Sequence, residues 1–100
     1  MAQVASRQET TTRIDWSLDY LFAAWADIPA LAAEEWPLWS HDQQVEFFLD
    51  WPVKNSHLGL LRQWQAEGQM TAAQAARFAA LLALIARNRP ALAAMDATLG

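Results

Sequence analysis

The chain has 100 residues, of which 54% are hydrophobic and 18% charged, with no cysteine, three glycines, four prolines and six tryptophans. That composition excludes a disordered chain, a disulfide framework, a thiolate metal site and a cysteine nucleophile, while a chain of this length can bury about 65% of its unfolded surface in a single core. A net charge of −4 with a pI near 4.9 argues against the basic face that a general nucleic-acid binder presents.

Residues 1–13 are polar, rich in threonine and glutamine, and lack the apolar segment of a secretory signal. They are expected to form a flexible arm ahead of a single helical domain over residues 14–100. Thr12 and Asp15 have capping-box spacing, which predicts a helix start there. Leu18, Leu21, Phe22, Trp25 and Ile28 then recur at helical spacing as one apolar stripe. Pro29 fits the first turn of a short second helix, and Pro37 is expected to close it.

Ser40 and Gln43 form a second capping box, opening a helix whose predicted buried stripe is Val45, Phe48 and Leu49 and whose end is expected at Trp51-Pro52. A turn through Lys54 and Asn55 should precede a fourth helix with Asn55 or Ser56 as cap, marked by Leu58, Leu61, Trp64 and Gln65 and ended by Gly68. Thr71 and Gln74 are a third box. They open the longest helix, expected to reach Asn88 before Arg89-Pro90 breaks it and a short terminal helix docks through Leu92 and Met95.

That long helix is apolar on nearly every side. Ala72, Ala76, Ala79, Ala83 and Ala86 follow a 4-3-4-3 spacing that would let another helix approach closely, and Phe78, Leu81, Leu82 and Ile85 fill the neighbouring faces. The expected fold is therefore all-α: a compact bundle of five to six short helices around a central alanine-rich one. The longest strongly apolar run, Phe78 to Ile85, is bounded by Arg77 and Arg87, short of the ~18 residues of a membrane helix, so a cytoplasmic location without membrane contact is expected.

Charge is segregated. Residues 14–53 hold eight acids and no Lys or Arg, and residues 54–100 hold five basic residues against two acids, so the two parts carry −8 and +3. Such asymmetry favours one register when two halves or two chains pair. Asp42, Glu46 and Asp50 are spaced by four and make one acidic ridge. Arg87 and Arg89 read as cations at a helix end, and Arg77 with them is too weak a set for nucleic acid beside so many alanines.

Trp25 and Trp64 fall on apolar stripes and read as core, whereas Trp36, Trp39 and Trp51 gather at the proline breaks near Phe47. The expected contact surface is therefore Trp36, Trp39, Phe47 and Trp51 with Asp42, Glu46 and Asp50. The expected function is a small non-enzymatic protein-protein interaction or accessory protein that binds a protein partner or itself as a homodimer, with no cofactor, catalytic residue or metal ligand assigned. The alternative is a small-ligand or divalent-metal regulator or enzyme that uses His41, Asp42 and Glu46 beside the aromatic pocket.

Overall fold

The computed structural model describes residues 2–99, with side chains described from Arg7 onward. Every element in it is helical. Helix α1 spans Ala2–Ala26, a single turn α2 spans Ile28–Ala30, a π-helical turn covers Leu31–Glu35 and a 3₁₀ turn Trp36–Leu38. Helices α3 (His41–Leu49), α4 (Trp51–Ala66) and α5 (Ala72–Ala97) follow. Among the described residues there is no strand. In place of five or six short helices around one, three long helices, α1, α4 and α5, carry the fold.

Two capping boxes form as their spacing predicts. Ser40 accepts from the Gln43 amide while the Gln43 side chain accepts from the Ser40 amide, and Thr71 and Gln74 do the same at the start of α5. The box at Thr12 does not form, because α1 already runs through it from Ala2. The Thr12 hydroxyl instead donates back to the Gln8 carbonyl at 2.9 Å, as a mid-helix threonine can. The segment expected to be a flexible arm is thus helical from Ala2; Met1 lies outside the described residues.

The core is a stripe on α1 meeting a stripe on α5. Ile14, Leu18, Leu21, Trp25 and Ile28 are buried at 4-3-4-3 spacing. Opposite them stand Gln74, Phe78, Leu81, Ile85, Asn88 and Met95, buried, with half-buried Leu92 completing the same repeat. A 3.5-residue period on both partners is the pattern of a coiled-coil seam. The helices run parallel, since Gln74 meets Thr11 and Asp15, Arg77 meets Asp19 and Asn88 meets Trp25. Helix α4 returns antiparallel between these two strokes of the chain, with His57 beside Ser17 and Trp51 against Trp25.

Four expectations about elements change. Trp51-Pro52 starts α4 and does not break the chain, because a proline in the first helical turn gives up an amide that has no partner there anyway. Leu49, expected inside, is 70% exposed. Pro90 is accommodated within α5, which continues to Ala97, so Arg87 and Arg89 stand mid-helix and do not cap it. The alanine stripe Ala72, Ala76, Ala79, Ala83 and Ala86 faces outward, and the helix centred in the fold is α1.

Because Pro90 does not end it, α5 is also long and apolar enough, by length and composition, to cross a membrane, with a mean hydropathy of 1.3 over its best window. This revises the shorter apolar run read from the sequence. Gly68, at φ +71°, makes the left-handed turn after α4 that the sequence predicts.

Candidate functional site: a groove between α1 and α4

Helix α4 buries one face, led by Trp51 and Leu61, against α1. A second line of residues runs along the side of the α3–α4 unit: Leu49, Val53, His57, Leu60 and Trp64, at spacings of 4, 4, 3 and 4. That spacing keeps Val53, His57, Leu60 and Trp64 on one face of α4, with Leu49 preceding them at the end of α3, across the junction at Asp50. The facing edge of α1 contributes Thr12, Arg13, Trp16 and Ser17, and between the two edges lies an open groove of about 410 Å³ that His57, Leu60 and Trp64 complete. The volume is in the range of sites that take a ligand or a few side chains, about 300 to 1,000 Å³.

Trp16 and His57, one on each side of the groove, belong to an aromatic cluster with Tyr20. Trp16 stacks on Tyr20 with ring centroids 5.3 Å apart and planes 11° from parallel. The His57 ring stands edge-on to Tyr20 at 5.0 Å and tilted to Trp16 at 5.1 Å. Such offset and edge contacts suit the charge distribution of aromatic rings and hold them rigid. The Lys54 ammonium lies 5.8 Å from the Tyr20 ring and 5.0 Å from Trp51, so it closes the α4 end of this cluster by a cation–π contact.

One polar pair ties the walls together. The Ser17 hydroxyl and His57 Nδ1 are 3.3 Å apart, and Ser17 is buried. A serine beside a histidine suggests a nucleophile and its base, but among the described residues no acid bonds the imidazole, and Ser17 is only 2% exposed. What the pair does as built is link α1 to α4 across the groove.

The residues singled out from sequence divide. Trp36 and Trp51 are buried, Trp39 and Phe47 are half-buried, and Asp42, Glu46 and Asp50 are exposed. The aromatic members form a cluster around Trp36, whose centroid is 5.9 Å from Trp39, 5.7 Å from Phe47 and 5.6 Å from Phe48, and Phe47 in turn reaches Trp51 at 5.4 Å. Trp36 Nε1 donates to Thr98 at 2.9 Å, and its carbonyl accepts from the Gln44 side chain at 2.8 Å. This cluster locks the irregular 31–38 segment and α3 onto the end of α5. It is internal packing more than a free face.

Between the cluster and α5 a cleft of about 330 Å³ is lined by residues that include Trp51, Asn55, Arg89 and Asp96. His41, Asp42 and Glu46 do not converge: among the described residues no three His, Asp or Glu side chains could share a metal ion. Arg77 is taken up by Asp19 at 2.6 Å and lies over the Phe22 ring.

Sequence reading missed Trp16, Leu60 and Trp64 as a group. The signal is the 53-57-60-64 spacing on α4, which a break expected at Trp51-Pro52 and a helix start expected at Asn55 or Ser56 divide in two. Comparison with protein-family models, curated proteins and solved structures finds no match to this chain.

Proposed function

We propose that the chain is a non-enzymatic interaction module that seats an apolar helix of a protein partner in the groove between α1 and α4. The observation that carries this reading is where its large apolar side chains are left in water. Among the described residues five large apolar side chains are left exposed; Trp16 (56%) and Leu60 (41%) line the groove, Val53 (53%) shares the α4 face of His57, Leu60 and Trp64, Leu49 (70%) ends α3 just before it, and Leu38 lies elsewhere. Scattered apolar residues on a surface mean little, but an apolar strip rimmed by polar residues is the form of a docking site. Tryptophan anchors in a shaped groove, facing a partner's residues at i, i+3 or i+4 and i+7, are the usual chemistry of helix-in-groove binding.

Selection of displayed helical peptides against the immobilised chain tests this. Enriched peptides should carry apolar anchors at helical spacing and lose binding to Leu60→Asp or Trp16→Ala, while both variants keep the parent's helical circular-dichroism spectrum. Enrichment of no apolar helix, or binding indifferent to both substitutions, would overturn the reading.

A further inference from the structure

We infer that the occupant of this groove is a second copy of the same chain, laid antiparallel across a two-fold axis so that each strip covers the other. The inference rests on the groove being a docking site and adds the identity and direction of the partner. A two-fold interface must be self-complementary, because the same patch is presented by both chains.

The strip meets that requirement in its charge. At its α3 end Asp42 and Glu46 continue the spacing of Leu49 and Val53 by steps of four and three, both exposed, in the stretch that holds no basic residue before Lys54. At the opposite end the one Lys or Arg among the groove's lining residues is Arg13, beside Trp64; Glu9 lies one turn further on, outside the lining. Lys54, the first Lys or Arg after the acidic end in sequence, is held over the Tyr20 and Trp51 rings.

A parallel arrangement would place acids against acids and Arg13 against Arg13. The antiparallel one sets Arg13 of each chain against Asp42 and Glu46 of the other, with the apolar positions between them covered. Charge patterns of this kind fix register and direction more than they add affinity.

Sedimentation velocity on the full chain tests the proposal over a concentration series. The expected result is a reversible species of twice the 11.2 kDa chain mass. Leu60→Glu should weaken it by about thirtyfold or more, as loss of a central contact does. Arg13→Glu alone, and Asp42→Arg with Glu46→Arg, should each weaken self-association by about tenfold. An equimolar mixture of those two charge variants should then recover the dimer, because each supplies the end the other lacks.

The proposal fails if the wild-type chain stays monomeric at several hundred micromolar, if the dimer survives Leu60→Glu, or if mixing the charge variants restores nothing. A monomer that still captures selected apolar helices would remove the second copy as occupant and leave the groove as a docking site. Loss of peptide binding as well would remove both.

Discussion

Pro29 lacks the amide that would otherwise bond to the Trp25 carbonyl at the end of α1, and Asn88 of α5 supplies the missing donor at 2.8 Å in a buried site. A small polar residue in the middle of an apolar seam thereby satisfies a helix end and fixes the register of the two helices. Gln74 does similar work one end away, accepting from the Thr71 amide and donating to the Thr11 carbonyl and Asp15. Removing the donor while leaving the carbonyl buried should be costly: Asn88→Ala should lower the unfolding free energy by about 2 to 3 kcal/mol. Asn88→Asp should cost more, since a carboxylate cannot donate and is buried without a counter-charge. Urea titration of both variants checks the order, and an aspartate variant as stable as the wild type would remove the hydrogen bond from the account. None of this is legible from the sequence, where Asn88 reads only as a helix end.

At the scale of elements, the signals legible in the sequence are those a side chain sends to its own stretch of backbone. The boxes at Ser40 and Thr71, the turn at Gly68 and the stripe from Leu18 to Ile28 all depend on residues within one or two turns of each other. Prolines misled because their effect depends on position: Pro52 sits in a first turn, where it is tolerated, and Pro90 sits inside α5, where packing outweighs its cost. Pro90 is exposed, so Pro90→Ala should restore an amide to the helix without removing a core contact. A gain of about 1 to 2 kcal/mol in stability is expected, the helix-interior penalty of proline less its restriction of the unfolded chain. Thermal and urea unfolding measure it. A loss would show that Pro90 itself helps to seat Leu92 and Met95.

The whole molecule is elongated, with extents of 52 × 23 × 18 Å and a radius of gyration of 15.9 Å, against about 13 Å for a compact domain of this length. Two helices of 25 and 26 residues, each about 38 Å long, account for this because they are staggered: the start of α5 meets α1 at Thr11, so the first turns of α1 extend beyond it. Small-angle scattering of the Leu60→Glu variant at low concentration should give a longest dimension near 52 Å. A value close to that of a sphere of the same mass would refute the parallel arrangement of α1 and α5. The segregated charge acquires a place at this scale: Arg77 pairs with Asp19 within the chain, while Arg13 lines the groove and Asp42 and Glu46 are exposed on α3.

By itself the sequence determined that the chain is helical, where two of its helices begin and which face of α1 is apolar. These follow from backbone hydrogen bonding and from periodicity, which act over a turn or two. Only the tertiary structure decided which side of α5 is covered, because alanine is compatible with either face and larger Phe78, Leu81 and Ile85 fill the seam with α1 better. It also decided that Trp36 and Trp51 turn inward while Trp16 and Leu60 do not. Burial depends on what the rest of the chain brings alongside, and no residue's own pattern records that.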